Sequence, residues 1–428
     1  MTLTMITVML ALLLAGFPMM MPLMVATLVA FLMFLDPLKP TIIIQQMIGG
    51  VKPAALVAIP MFMLAADIIT RGHSANRLID LVMTFIGHVR GGLAITVAAT
   101  CTLFGAVSGS TQATVVAVGG PMRPKMLKSG YDDPFTMALI INASDIAFLI
   151  PPSIGMIVYG VLSGTSISEL FIAGIGPGLL ILAMFSLYSF IYASLKQIPT
   201  EPQATWARRL TALKGAVWPL GFPMIIVGGI YGGVFSPTEA ASISVAYAFV
   251  LEVVIFRSIK LREMSDILLS TGMVTAVVFI LIAAGAAFSW VISYAQIPQE
   301  LIAALSLDQA SPAILLVTIT VIFFVGCMFV DPIVVMLILI PILMPLVKAS
   351  GLDPVLVGIM ITLQVAIGSA TPPFGCDIFT AIAIYRRPYL EVIRGTPPFV
   401  VMLLIASAAL VLFPEIALFL RDLSIAEQ

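Results

Sequence analysis

The chain has 428 residues, 61% hydrophobic and 10% charged, with a formal net charge of −1 and a mean hydropathy of +1.16. Soluble domains carry roughly 25% charged residues, so this is an all-α polytopic membrane protein; folded in water it would expose too much apolar surface. The charge balance gives no reason to expect a nucleic-acid partner. Cys101, Cys327 and Cys376 lie in apolar runs and read as packing residues, neither a disulfide framework nor a metal centre.

The first stretch has no basic residue before Lys39, so it is expected to enter a span directly and not to act as a cleavable signal. Residues 3–35 are almost wholly apolar, interrupted by Gly16-Phe17-Pro18 and Pro22 and closed by Asp36-Pro37. They are long enough for one tilted helix or two short ones, since ~20 residues cross the hydrocarbon. A span follows at about 54–70 with Pro60 inside it, then an amphipathic stretch through Arg71, Arg77 and Arg90, with His73 and His88 in a polar connection.

From Gly91 to Met122 an apolar segment holds an anomaly at its middle. Gly105-Ala-Val-Ser108-Gly109-Ser110-Thr111-Gln-Ala-Thr114 packs glycines and hydroxyls where a lipid-crossing helix needs neither. Each arm, roughly 92–106 and 111–126, is short for a crossing, which predicts a re-entrant hairpin with its tip at Ser108–Thr111. Arg90 at one end, and Arg123, Lys125 and Lys128 at the other, put both ends on the cytoplasmic side. The next helix is predicted to break at Ser144-Asp145 and at Leu149–Ser153, where Pro151 and Pro152 leave carbonyls without donors. A span at about 169–194 leads into a linker, Lys196 to Lys214.

Spans at about 216–235, 240–256 and 267–293 open the second half, with Arg257, Lys260 and Arg262 marking the cytoplasm. An apolar segment at 311–347, broken at Gly326 and Asp331-Pro332, is predicted to be a second hairpin. Its ends carry Glu300, Asp308, Asp353 and one Lys348, a poor match to a cytoplasmic loop. A helix from about 355 breaks at Gly368–Gly375, and a last span fills about 396–420.

The halves repeat. Gly16-Phe-Pro-Met19 recurs as Gly221-Phe-Pro-Met224, Pro124…Ser129-Gly130 as Pro345…Ser350-Gly351, Asp133-Pro134 as Asp353-Pro354, and Pro151-Pro152 as Pro372-Pro373, all in order. In that register Ser110 falls on Asp331. Basic ends on one hairpin and acidic or neutral ends on the other predict opposite entry, hence an inverted repeat with sites at the midplane in broken helices.

Hydroxyls and freed carbonyls suit a hard cation, so Ser108 and Ser110, with the Ala147 and Ile150 carbonyls, form one candidate site. Small residues also permit close helix packing, and the prolines alone would make a kink. Asp331, a carboxylate in an apolar run with no basic residue in its segment, is functional by default; with Thr371 and the Gly368–Gly375 carbonyls it forms the second candidate. Asp145 and Asp377, beside the breaks, are candidates for tuning ion or substrate binding, and Asp67 and Glu252 for helix interfaces or edges.

Ile59-Pro60-Met-Phe62, Ser108-Gly-Ser-Thr-Gln-Ala-Thr114, Leu149-Ile-Pro-Pro-Ser153, Ser236-Pro-Thr-Glu-Ala-Ala241 and Thr371-Pro-Pro-Phe-Gly375 together resemble the large membrane (M-type) subunit of tripartite ATP-independent periplasmic (TRAP) transporters, along essentially the whole chain, with the sialic-acid branch as nearest likeness. Pro332 after the acid, and Asp67 after Leu64-Ala-Ala66, depart from the family pattern. The resemblance implies a sodium-driven importer in the bacterial inner membrane, an inverted-repeat elevator-type transporter with two re-entrant hairpins and two discontinuous helices. Its division would be 1–90 scaffold, 91–168 first hairpin and broken helix, 169–310 scaffold and linker, 311–390 second hairpin and broken helix, and 391–428 C-terminal span. Sodium ligands carried over fall on Ser108, Ser110, Ala147, Ile150 and Pro152 for one site, and on Met328, Asp331, Gly368, Thr371 and Gly375 for the other. Thr111, Asp145, Pro373 and Asp377 fall near the substrate. Partners would be a small four-helix (Q-type) membrane subunit, a periplasmic substrate-binding protein and an organic anion, sialic acid first and a C4-dicarboxylate second. The alternatives are a stand-alone sodium- or proton-coupled dicarboxylate carrier and, more distantly, an intramembrane enzyme, for which the spans offer no supported nucleophile.

Overall fold

The computed structural model describes residues 1–35, 38–304 and 310–426; the expected break at Asp36-Pro37 and the loop acid Asp308 lie outside them. Every regular element among the described residues is a helix, with no strand. Among the described residues seven helices are long and apolar enough to cross a membrane, or eight if the last, bent pair counts as one span.

The N-terminal region forms two short helices, α1 (Thr2–Leu14) and α2 (Met20–Phe34), packed on each other. Gly16 in the left-handed region (φ +79°) and Pro18 make the break. After α3 (Thr41–Gly50), a 3-10 turn at Ala54–Val57 leads into α4 (Ala58–Arg71). Pro60 sits in the first turn of α4, where a missing N–H costs nothing. The amphipathic α5 (Ser74–Ile86) follows, its N-terminus capped from a distance: Glu252, fully buried, accepts from the backbone N–H groups of His73 and Ser74 and from the hydroxyls of Ser74 and Ser258. This satisfies a buried carboxylate with orphan helix donors, and it fits the expectation of a helix interface for Glu252.

The first hairpin is α6 (Gly92–Ser108) and α7 (Thr111–Lys128). Then come α8 (Asp133–Ser144), a 3-10 turn at Asp145–Phe148, the Pro151-Pro152 break, α9 (Ile154–Ser163) and the span α10 (Ile167–Leu195). The span α11 (Trp206–Tyr231) starts ten residues earlier than 216, inside the expected linker. Thr205 caps it by accepting from Arg208 N–H, and Arg208 pairs with Asp80 at 2.6 Å, so the polar turn gains partners as helix. Gly221-Phe-Pro-Met224 stays inside this helix, unlike Gly16–Met19.

The span α12 (Pro237–Phe249) begins with a capping box between Ser236 and Glu239 and passes into a π-helical segment, Val250–Ile255, that carries Glu252. The long α13 (Leu261–Tyr294) and short α14 (Ile297–Ala304) follow, then the second hairpin, α15 (Pro312–Phe329) and α16 (Pro332–Ser350). Gly326 remains helical; the break falls at Val330-Asp331 alone. The second broken helix is α17 (Pro354–Ala370) and α18 (Cys376–Tyr385), and the chain closes with α19 (Tyr389–Ile393), α20 (Pro397–Leu412) and α21 (Glu415–Ala426). The expected last span is bent by 58° between α20 and α21, at Phe413-Pro414.

Burial divides the molecule. Every residue of α17 after Pro354, and every residue of α8 after Pro134, is buried. Helices apolar on all sides belong at a centre, and these two broken helices form it, clasped by the hairpins. By contrast α13 turns Leu268, Leu269 and Met273 outward, as a lipid- or partner-facing helix does.

Candidate functional site

Each hairpin tip meets a proline break of its own half. At the first, α6 ends on Gly109 (φ +59°), and Ser110 is extended. A Cβ on Gly109 would lie 2.4 Å from the Pro152 carbonyl oxygen, and one on Gly105 would lie 2.6 Å from Ala147 Cα. Both positions therefore need glycine, one for its φ and both for close approach. Ser110 caps α7, its Oγ accepting from Ala113 N–H at 3.4 Å. Ser108 Oγ donates to the Ser110 carbonyl at 3.2 Å and lies 3.1 Å from Thr114 Oγ1. The Ser108–Ser110 tip thus lies on Pro152, while Ala147 lies against Gly105, three residues before Ser108 on α6. Ile150 turns its side chain toward Gly178 of α10.

The second tip solves the same problem differently. Val330 is extended and Asp331 caps α16, its Oδ1 accepting from Ile333 N–H at 3.0 Å; Pro332 at the first helical position has no N–H to satisfy. A Cβ on Gly368 would lie 2.4 Å from Cys327 Cβ, which shows how closely α15 lies on the second break. The Met328 carbonyl already accepts from Phe374 N–H at 3.1 Å, leaving one lone pair free. Thr371 Oγ1 donates back to the Ile367 carbonyl at 2.5 Å, so its lone pairs remain available. The carbonyls of Ser369 and Thr371 converge on Gly375. Both Pro-Pro bonds, 151–152 and 372–373, are cis.

Three of the four residues expected near the substrate form a closed polar knot behind the first tip. Thr111 Oγ1 donates to Asp377 Oδ1 at 2.7 Å, and Asp145 lies beside Asp377. Both carboxyls are buried, and Asp145 Oδ1 and Oδ2 and Asp377 Oδ2 have no hydrogen-bond partner. Pro373 is elsewhere, its carbonyl accepting from Tyr389 Oη at 2.9 Å.

None of these four lines the cleft between the tips. That cleft, of about 320 Å³, has Gly109, Ser110 and Gln112 from the first tip and Asp331, Pro332 and Ile333 from the second. Its opposite wall is apolar: Met63 of α4 and Val274, Val277, Val278 and Leu281 of α13. Beyond that wall Asp67 Oδ2 accepts from Thr271 Oγ1 at 2.5 Å, joining α4 to α13 as a helix-interface residue does. Larger depressions, of about 460 and 470 Å³, sit at the surface beside Asp132 and beside Thr165, away from both tips. Gln112, Phe148, Met63 and the valines of α13 line the cleft, and the sequence reading did not single them out. Gln112 stood inside the motif it singled out; the apolar wall gave no signal, because lining a cleft and facing lipid ask for the same side chains.

The donor set at the tips is oxygen only: hydroxyls, one carboxylate and main-chain carbonyls. Among the described residues no three His, Cys, Asp or Glu side chains gather as a metal cluster. Such a set suits a hard cation better than a soft transition metal.

Comparison with known proteins gives one pattern. The family described as "Tripartite ATP-independent periplasmic transporter, DctM component" matches residues 6–416. The ectoine TRAP transporter large permease protein TeaC of Halomonas elongata is 65% identical over 425 residues, covering 99% of this chain and 100% of that protein. The ectoine/5-hydroxyectoine TRAP transporter large permease protein UehC of Ruegeria pomeroyi is 64% identical over 98% of this chain and 99% of its own. The sialic acid TRAP transporter large permease protein SiaM of Vibrio cholerae is 33% identical over 97% of each chain. The crystal structure of the Alcanivorax borkumensis YdaH transporter shares the fold, with a TM-score of 0.64 at 16% identity, covering 87% of this chain and 86% of that one.

Proposed function

The chain belongs to the DctM-component family of tripartite ATP-independent periplasmic (TRAP) transporters and is the large permease of such a transporter, a multi-pass inner-membrane protein and not an enzyme; from that premise we propose that it imports ectoine and closely related zwitterions, driven by sodium. The observation that carries the solute is the identity gradient: the two relatives named for ectoine stand at 65% and 64%, the one named for sialic acid at 33%. Ectoine therefore takes the place of sialic acid and C4-dicarboxylates as the first-named solute. The cleft agrees in size and chemistry. Ligand pockets run from about 300 to 1,000 Å³, so one of about 320 Å³ suits a small solute. Its lining holds one carboxylate and no basic residue, which favours a molecule that brings its own positive charge.

The residues fit sodium. Ser108, Ser110 and the Ala147, Ile150 and Pro152 carbonyls would hold one ion, and Asp331, Thr371 and the Met328, Gly368 and Gly375 carbonyls the second. Bound sodium supplies positive charge beside Asp331 and the tip carbonyls. With its charge balanced, a body made of the two hairpins and two broken helices, 91–168 and 311–390, can slide past the apolar wall of α4 and α13. With Asp331 bare, moving an ion along that wall costs several kcal/mol. A small membrane subunit and a periplasmic binding protein complete the transporter.

The test is uptake in proteoliposomes holding both membrane subunits, supplied with the partner binding protein and labelled solute. The expected result is saturable ectoine uptake that unlabelled sialic acid and succinate, added in hundred-fold excess, leave unchanged. Uptake of sialic acid or succinate in place of ectoine would overturn the solute; import without any binding protein would overturn the tripartite arrangement.

A further inference from the structure

An ectoine-type solute carries one carboxylate, yet no Arg, Lys or His lines the cleft. The polar side chains there are Ser110, Gln112 and Asp331. Asp331 offers only acceptor oxygens, and its neighbour's N–H, at Ile333, is already given to it. Ser110 has a single proton, and its Oγ donates that proton to Gln112 Oε1 at 3.2 Å. Ser110 therefore has nothing left to donate to a solute.

Gln112 does. A primary amide carries two N–H donors. With Oε1 engaged by Ser110, the amide is held one way round and its Nε2 is left for the cleft. Nε2 donates to no protein acceptor, and it is not among the buried atoms lacking a partner, so solvent or solute reaches it. The position is fixed by the tip: Gln112 is the second residue of α7, directly after the Ser110 cap.

From this we infer that Gln112 is the specificity-determining residue for the solute's carboxylate, its Nε2 donating to that carboxylate while the Ser110 hydroxyl orients the amide. The inference rests on the import reading above. It also supplies a route from ion to solute. A cation on Ser110 Oγ uses a lone pair and leaves the O–H directed at Gln112 Oε1; the polarised O–H then donates more strongly and holds the amide more firmly. Solute affinity rises with sodium through this one residue, and by linkage sodium affinity rises with solute. A neutral donor facing Asp331 accepts a singly carboxylated zwitterion; a second carboxylate would find only an acidic neighbour.

The competing role is a prop: Gln112 would hold Ser110 for its ion and never touch solute. Equilibrium binding to the two membrane subunits in nanodiscs, without the binding protein, separates the two. The probes are labelled ectoine, its carboxamide analogue and 22Na+ in the absence of solute. For Gln112→Leu the expected result is a Kd for ectoine raised roughly ten- to hundred-fold, as for loss of a hydrogen bond to a charged group. The Kd for the carboxamide, whose C=O can accept only a neutral hydrogen bond, rises less than ten-fold, and the sodium affinity without solute falls only slightly, through loss of Oε1 from the Ser110 hydroxyl. Gln112→Glu, nearly the same shape but with an acceptor in place of the NH2, weakens ectoine at least as much. Unchanged melting temperatures of both variants keep misfolding apart from the result. Equal loss of ectoine and carboxamide, or weakened 22Na+ binding with ectoine affinity intact, would overturn the inference in favour of the prop. If the wild-type subunits bind no ectoine, the solute assignment itself has failed, and this inference falls with it.

Discussion

The two hairpin tips are the same backbone device with different chemistry. Each ends an arm, extends for one or two residues, caps the next helix with a side-chain oxygen and rests on a proline break. The first does this with hydroxyls and a left-handed glycine, the second with a carboxylate followed by proline. The aspartates that begin the two broken helices keep the parallel: Asp133 pairs with Arg123 at 2.7 Å and Asp353 with Arg421 at 2.5 Å. Backbone needs are therefore met equally in the two halves, whereas charge is placed in only one tip. A tip with neutral oxygens can hold a cation and release it; a tip with a fixed negative charge makes the empty state costly to move.

The sharpest way to break that comparison is at Asp331. Asp331→Asn keeps an acceptor for Ile333 N–H and removes only the charge. It is expected to fold with a wild-type melting temperature and to lose at least ~99% of sodium-driven uptake, a loss of more than about 2.7 kcal/mol in the transport barrier. Asp331→Ala adds the loss of a helix cap, about 1 kcal/mol, so its melting temperature should fall as well. Equal uptake by the Asn variant and wild type would put the charge outside the cycle.

Next comes Gly109→Ala. It meets both the left-handed φ and the Pro152 oxygen, so a cost of about 1–3 kcal/mol in stability and severe loss of uptake are expected. Its counterpart Val330, extended, needs no left-handed backbone and is only partly buried against the core, so alanine there should cost less, about 1 kcal/mol. Thermal unfolding of the two variants side by side checks this; equal sensitivity would mean the tips are not built differently.

Thr111→Val probes a feature with no twin in the second half. It removes the one donor to the buried Asp377 and is expected to cost about 1–3 kcal/mol, read as a lower melting temperature. Thr371, whose hydroxyl makes only a local bond to Ile367, should tolerate valine better.

Smallest is Tyr192→Phe, at the surface. Tyr192 Oη donates to Asp132 at 2.7 Å and Lys196 lies 3.1 Å from it, and these partners, Tyr192 first, hold the Asp132 carboxyl below the usual carboxylate range. A depressed folded value contributes stability above the unfolded pKa of about 3.9 and loses it as pH falls through the folded value. The variant should melt slightly lower at pH 7, with the difference closing below pH 4. A difference that widens with acid would contradict the assignment.

Much of this fold was legible in residues whose physics is local. The cluster of glycines and hydroxyls at 105–114 marked the first tip, Asp331-Pro332 in an apolar run marked the second, and the Pro-Pro pairs marked both broken helices before any coordinates. Where the reading missed, the deciding partner was distant. Gly16-Phe-Pro and Gly221-Phe-Pro are the same letters, yet one breaks a helix and the other lies inside a packed span, with Gly221 against Tyr247. Trp206–Lys214 read as linker because its stabilising partner, Asp80, is 128 positions away from Arg208. The knot of Thr111, Asp145 and Asp377 joins residues up to 266 positions apart. The cleft's apolar wall was hidden for another reason, since Val274 and Val277 carry the same side chain whether they face lipid or solute.

The most direct measurement is sodium-driven ectoine uptake by the reconstituted complex, compared for wild type, Ser110→Ala and Asp331→Asn under an imposed sodium gradient. The account predicts uptake that follows the gradient in wild type, needs at least ten-fold more sodium in Ser110→Ala, and is lost in Asp331→Asn. Uptake indifferent to the sodium gradient, or both variants with wild-type sodium dependence, would contradict it.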